Sequence, residues 1–215
     1  MSRRPLLALA AALLLAGGAG TGGQAMVTES KMLPLGTSAP DFDLPDVVSG
    51  KRFALASFHG RKALLVMFIC QHCPYVQHVK KELSRLGRAY AGRGVGIVGI
   101  SANDPAAYPQ DAPEALKTFA QKEGFAFPLL FDESQATAKA YTAACTPDFF
   151  LFDAGRRLVY RGQLDASRPG SGLPVTGRDL RAALDAVLAG RAVSAQQRPS
   201  SGCSIKWKPG GQPGL

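Results

Sequence analysis

Hydrophobic and polar positions along the 215-residue chain fall into two alternating regimes. ALLVMFI (63–69) and VGIVGIS (95–101) are unbroken apolar runs, and their length and Val/Ile content predict buried central strands. Between them, Val76, Val79, Leu83, Leu86 and Tyr90 recur at spacings of 3, 4, 3 and 4, which places them on one face of a helix. Pro74 suits the first turn of that helix, where its missing N–H costs nothing. PEALKTFAQKEG (113–124) predicts a short helix with Leu116, Phe119 and Ala120 inward and Gly124 at its end. FPLLFD (127–132) predicts a third strand, and SQATAKAYTA (134–143) a third helix with Ser134 as its N-cap. CTPDFFLFDAGRRLVYRGQLD (145–165) reads as a strand, a turn at Ala154-Gly155 and another strand. Residues 176–188 predict the last helix, with Thr176 and Asp179 in capping-box spacing and Gly190 as its stop.

The flanks of this periodic region are different. APDFDLPDVVSGKRFALASFHGRK (39–62) alternates short apolar pieces with turn signals and predicts a β-hairpin entrance. Residues 26–38 form a polar lead-in. The tail, residues 195–215, is rich in Pro, Gly and Ser and is expected to be irregular. Residues 1–25 carry Arg3 and Arg4, then the apolar run Leu6 to Ala16, then small residues. This is the order of a secretory signal cleaved near Ala25. Its apolar run is short for a bilayer core of roughly 30 Å, so no stable membrane insertion is expected after cleavage. The single domain then runs over 39–194 as an α/β unit with a mostly buried sheet.

Composition narrows the function classes. Lys and Arg number 25 against 16 acids, a formal net charge of +9, but no run of five or more basic residues occurs. The cationic surface is therefore scattered and is not a nucleic-acid footprint. An exported location, periplasmic or secreted, is oxidising, so paired cysteines there are normally disulfides or exchange catalysts. All four, Cys70, Cys73, Cys145 and Cys203, follow the signal.

FICQHCPYV (68–76) places Cys70 and Cys73 where the first buried strand meets the first long helix. A structural zinc site needs four ligands, and His59, His72 and His78 supply no matching second half, so no metal is expected. A structural disulfide across two residues removes little loop entropy from the unfolded chain. Disulfide exchange fits the position best. Unpaired helix N–H groups stabilise a thiolate, which assigns Cys70 as the exposed attacking thiol and Cys73 as the shielded resolving thiol. His72, between them, can add positive charge or a hydrogen bond; its plain alternative is a solvent-exposed loop residue.

The APDFDLPD entrance, a buried strand ending in C-x-x-C and a later Thr-Pro before a strand resemble the thioredoxin-like superfamily. FICQHCPYV, CTPDFFLFD, YRGQLDASRPG, PVTGRDLRAAL and PSSGCSIKWK resemble its peroxiredoxin-like redoxin branch, related to alkyl hydroperoxide reductase and thiol-specific antioxidant proteins. The resemblance implies a central mixed β-sheet flanked by helices, no cofactor, and protein or small-molecule thiols and disulfides as substrates, with an unknown electron donor. It implies Cys70 as nucleophile, Cys73 as resolving thiol, and Pro147 as a cis-proline whose preceding backbone, at Thr146, pairs with an extended substrate.

Two departures qualify that carry-over. Leu64 and Val76 stand where relatives carry a carboxylate near the cysteines, which leaves His72, His78 or water as proton acceptors for Cys73. The peroxidase motif P-x-x-x-T-x-x-C aligns its cysteine with Cys73, but Cys70 and Val66 then replace the Thr and Pro. A peroxide would lack its usual hydrogen bonds. The thiol peroxidase remains an alternative, as does a non-catalytic copper-binding module using the thiols as ligands. Cys145 reads as a small buried hydrophobe, or as an auxiliary third thiol that traps an intermediate or pairs with Cys203, itself a candidate auxiliary thiol in the tail.

Overall fold

A computed structural model describes residues 27–213, so the signal segment 1–25 lies outside the described residues. In chain order the elements are β1 (Val27–Glu29), β2 (Asp43–Pro45), β3 (Arg52–Ala54), β4 (Ala63–Phe68), α1 (Pro74–Tyr90), β5 (Val95–Ser101) and α2 (Pro113–Glu123). They continue with β6 (Leu129–Phe131), α3 (Ala136–Ala140), β7 (Cys145–Thr146), β8 (Asp148–Asp153), β9 (Leu158–Arg161), α4 (Arg178–Leu188) and β10 (Ser201–Ser204).

The apolar runs form the centre of a five-stranded mixed sheet in the order β6-β5-β4-β8-β9. β4, β5 and β6 are parallel, as strand–helix–strand crossovers require, while β8 and β9 are antiparallel. Every residue of β4 and β5 is buried, because helices or loops cover both faces. Alternate side chains divide the core. Leu65 and Met67 join Val76, Val79, Leu83 and Leu86 of α1 on one face. Leu64, Val66 and Phe68 join Phe150, Phe152 and Tyr141 on the other. Each such buried side chain contributes about 1.5–3 kcal/mol relative to exposure.

Most predicted elements occur close to their expected bounds, including the entrance hairpin of β2 and β3. Two helix starts move. The third helix begins at Ala136, with Gln135 at φ 61 as its N-cap, and Ser134 Oγ accepts the Ala136 N–H at 3.2 Å. The last begins at Arg178 after Gly177 at φ 67, and Thr176 Oγ1 accepts the Arg178 N–H.

The C-terminal tail corrects an expectation. Residues 205–213 are irregular, but Ser201–Ser204 form a strand between β1 and β7. Cys203 lies opposite both Val27 and Thr146. SGCS has little intrinsic strand preference, so partners in the fold override local propensity. The lead-in is tied to the same layer: Ser30 N donates to Ser200 O at 2.9 Å, and Ser30 Oγ to the buried Asp148 at 2.8 Å.

Gly202 is what admits this strand. A Cβ there would lie 2.0 Å from Thr146 O and 2.7 Å from Thr146 C, both backbone atoms that cannot swing aside. Gly202→Ala is expected to lower unfolding free energy by about 1–3 kcal/mol by prising β10 from β7. Urea unfolding read by far-UV circular dichroism measures this; an unchanged midpoint would place β10 elsewhere.

Candidate active site

β4 ends at Phe68, and the chain turns through Ile69–Gln71–His72 before α1 begins at Pro74. Cys73 is therefore the N-cap, with φ −69 and ψ 122. Pro74, the first helical residue, has no amide to satisfy, and Gln77 N donates to Cys73 O at 2.9 Å.

Thr146 braces the pair from the other side. Its Oγ1 lies 3.3 Å from Cys70 Sγ, and its carbonyl oxygen lies 3.1 Å from Cys73 Sγ, accepting that proton in the dithiol form. The Thr146–Pro147 peptide bond is cis. Its backbone edge is already occupied: Thr146 pairs with Cys203 of β10, where the resemblance implies an extended substrate.

The two residues between the cysteines are held by Asp111, a fully buried side chain in the loop after β5. Asp111 Oδ1 accepts from Gln71 N at 2.7 Å and His72 N at 3.1 Å. Oδ2 accepts from Asn103 Nδ2 at 2.8 Å and pairs with His72 Nδ1. Burial alone would raise this carboxyl, but hydrogen bonds from His72 and Asn103 and the His72 charge hold it below the usual carboxylate range. Asn103 also accepts the Lys206 N–H at 2.8 Å, so one network joins the C-x-x-C turn to the tail.

His72 is not the solvent-exposed residue of the plain reading. Its side chain is 16% exposed and stacks on Tyr108 with ring centroids 4.7 Å apart. Nδ1 approaches Cys70 Sγ at 3.8 Å, but its nearer partner is Asp111. His72 thus braces the turn first and reaches the thiol second.

The thiols reverse one expectation. Cys70, expected to be exposed, is 1% exposed, and Cys73 is fully buried. Burial pushes Cys70 well up, helped by its hydrogen bond to Cys73 and by the Asp111 charge. The Cys70 hydrogen bond draws Cys73 down to about 5 against the opposing effect of burial, and Thr146, Cys203 and the Val76 N–H add to it. The two directions diverge, so the surroundings favour the charged form at Cys73 over Cys70. The reason is positional: the helix starts immediately after Cys73, and the carboxylate lies beside Cys70. Leu64 is buried and apolar as read. His78 Nε2 is engaged with Ser167 Oγ at 2.8 Å, and the hydrogen bond of the Cys73 thiol goes to Thr146 O.

The four cysteines are free thiols. Cys145 stands opposite Ser204 and Cys203 opposite Thr146, so Cys145 and Cys203 project to opposite faces of their ladder. That register corrects the idea of a Cys145–Cys203 disulfide. Cys145 Sγ lies 3.7 Å from Pro147 O, and burial pushes its thiol far up, which fits a small buried hydrophobe. Among the described residues, the ligand atoms of Cys70, His72 and Asp111 lie within 4.8 Å of one another. The Asp111 oxygens are already engaged by four donors, which argues for a brace rather than a metal ligand.

Asp111 and Asn103 escaped the sequence reading. Both sit in the polar loop ANDPAAYPQDAP, where no period marks a residue that turns inward.

A solved structure of an uncharacterized conserved protein from Geobacillus kaustophilus is 53% identical, with a TM-score of 0.84, over 86% of this chain and 97% of its own. A thiol:disulfide interchange protein of the thioredoxin family from Chlorobium tepidum shares the fold, with a TM-score of 0.55 at 22% identity over 71% and 96% of the two chains. The thiol-disulfide oxidoreductase ResA of Geobacillus kaustophilus is 26% identical over 126 residues, 59% of this chain and 67% of its own length. The fold is thioredoxin-like, and the AhpC/TSA family model matches residues 35–161, so the chain belongs to the AhpC/TSA family.

Proposed function

We propose that the protein is an exported thiol–disulfide oxidoreductase that uses Cys70 and Cys73 to exchange disulfides with protein or small-molecule thiols. The observation that carries this reading is the placing of Cys70 at the strand end and Cys73 at the N-cap of α1, with Thr146 Oγ1 3.3 Å from Cys70 Sγ and Thr146 O 3.1 Å from Cys73 Sγ. A low-pKa thiolate beside a second thiol is the arrangement that both forms and resolves a mixed disulfide. Cys70 passes its proton to Cys73 and attacks one sulfur of the partner disulfide; that bond breaks, and the other partner sulfur leaves as a thiolate that takes the proton from Cys73. The Cys73 thiolate then attacks Cys70 Sγ, the mixed disulfide breaks, and the second partner sulfur leaves as a thiolate that solvent protonates, leaving a Cys70–Cys73 disulfide. His72 and Asp111 hold the turn, and Thr146 and Pro147 form the wall facing both sulfurs. Export rests on the leader pattern of residues 1–25; among the described residues no helix is long and apolar enough to cross a membrane.

A peroxidase reading draws on the same Cys73 thiolate. Against it, Cys70 and Val66 stand where the peroxidase motif carries its Thr and Pro, so the peroxide oxygens lack that hydroxyl.

Insulin-disulfide reduction driven by dithiothreitol tests the proposal. The wild-type chain should accelerate precipitation of the insulin B chain over dithiothreitol alone and accumulate a Cys70–Cys73 disulfide when dithiothreitol is withdrawn. No acceleration and no such bond would sink it.

A further inference from the structure

Two of the described thiols remain outside the exchange chemistry above, and they differ. Cys145 projects away from the C-x-x-C pair, whereas Cys203 is aimed at it. Cys203 is 3% exposed, shares the core cluster of Cys70 and Cys73, and faces Thr146, whose Oγ1 and carbonyl oxygen lie 3.3 Å from Cys70 Sγ and 3.1 Å from Cys73 Sγ. The Cys73 and Cys203 sulfurs thus share the buried ground between the start of α1 and the β10–β7 ladder.

The position of Cys203 is held from several directions. It faces Thr146 in the β10–β7 ladder, and Gly202, the residue before it, allows the approach to the Thr146 carbonyl. Ser200 O accepts the Ser30 N–H, Asn103 Oδ1 accepts the Lys206 N–H at 2.8 Å, and Gln135 Oε1 accepts the Lys208 N–H at 2.8 Å. The tail thus lies along the edge where an extended partner segment would pair, with its own thiol against the redox pair.

We propose that Cys203 is a third redox thiol, which takes Cys73 from the Cys70–Cys73 disulfide to form a buried Cys73–Cys203 disulfide. The inference rests on the exchange reading, which supplies the first bond from a partner disulfide. The step is balanced: the Cys203 thiolate attacks Cys73 Sγ, the Cys70–Cys73 bond breaks, and Cys70 leaves as a thiolate that takes up the proton Cys203 gave up. No electrons are gained or lost; the oxidised state moves inward and Cys70 is freed for a second partner. Cys203 is pushed up to about 12 by burial and by its hydrogen bond to Cys73 while Cys73 is reduced. Oxidising Cys73 removes that negative charge, leaving the Tyr75 N–H and Lys206 to favour the Cys203 thiolate.

The test is disulfide mapping of the full chain after treatment with oxidised glutathione, acid quenching and alkylation with N-ethylmaleimide. Trypsin releases Cys70 and Cys73 together on residues 63–80 and Cys203 on residues 192–206. Wild type should yield these two peptides joined through Cys73, with Cys70 alkylated. C70S should lose two of its three remaining thiols to the same link, and C70S/C203S should not form it. The wild-type arm does not depend on a variant folding. If Cys70–Cys73 is the sole bond in wild type and C70S keeps all three thiols, the third-thiol role is overturned. Insulin reduction separates the two readings: activity with a Cys70–Cys73 bond but no 73–203 link overturns this inference alone. In C70S the link forms when Cys203 displaces glutathione from Cys73, so its presence there, with no Cys70–Cys73 bond and no insulin reduction in wild type, overturns the exchange reading and with it the transfer step, leaving only the Cys73–Cys203 pairing.

Discussion

Cys73→Ser is expected to lower the thiol reactivity of the reduced protein at pH 7 by roughly 100-fold and to abolish disulfide exchange. With Cys73 drawn down to about 5, that thiol is almost wholly ionised at pH 7 while Cys70 stays protonated. The substitution leaves Cys70 buried beside the Asp111 carboxylate, two influences that push its thiol up, so a thiolate fraction of about 1% or less remains. The pH profile of iodoacetamide alkylation reads this directly. Wild type should show a midpoint near pH 5, and Cys73→Ser a midpoint above that of an ordinary thiol. Cys70→Ser should move the midpoint upward by a smaller amount, because Cys73 loses the Cys70 hydrogen bond but keeps the Val76 N–H at the helix start. A Cys73→Ser variant that still alkylates at pH 5 would place the thiolate on Cys70 and reverse the assignment.

Asp111→Ala carries the largest expected effect on stability outside the core. It removes the acceptor of two backbone N–H groups, of the Asn103 amide and of His72, all at a fully buried carboxylate. Hydrogen bonds to a charged group are worth about 1.5–3 kcal/mol, and the orphaned donors have no water to turn to, so a loss of about 3 kcal/mol or more is expected. Asp111→Asn keeps part of the acceptor geometry and should fall between. Both variants should also lower the Cys70 pKa, since the carboxylate is one of the influences that raise it. That second readout separates loss of charge from loss of packing. The pH dependence follows from the direction of the shift. Asp111 is held below its unfolded value, so its contribution is fully present above the ordinary carboxyl pKa of about 3.9 and is lost as pH falls through the lower folded value. Urea midpoints collected from pH 6 to pH 2 should therefore converge for wild type and Asp111→Ala at the acid end. A gap that persists undiminished would mean that the carboxylate is not what stabilises the turn.

How much of the site was legible in the sequence depended on whether local chemistry or distant packing placed each residue. The C-x-x-C pair was readable because a seven-residue apolar run and a helical period bracket it, and covalent continuity puts Cys70 and Cys73 at that corner. Thr146-Pro147 was readable as a motif before a strand. Which thiol is ionised was not, because that turns on where the helix starts to within three residues and on a carboxylate 38 or more positions away in sequence. Asp111 carries no local mark: it lies in a loop without a period, and its role exists only through Gln71, His72 and Asn103. The tail misled for the same reason. Pro, Gly and Ser describe weak local preference, yet Gly202 is there because Thr146 O occupies the space of a side chain.

By itself the sequence determined the alternation of buried strands and amphipathic helices, and with it the meeting of strand end, C-x-x-C and helix start. Those features depend on periodicity and chain connectivity, which act over a few residues. Only the tertiary structure decided that the surroundings favour the charged form at Cys73 over Cys70, that Asp111 clamps the turn, and that Cys203 rather than Cys145 faces the redox pair. Each of those outcomes is set by electrostatics and strand register between segments far apart in the chain, where a change of one residue in register sends a thiol to the opposite face.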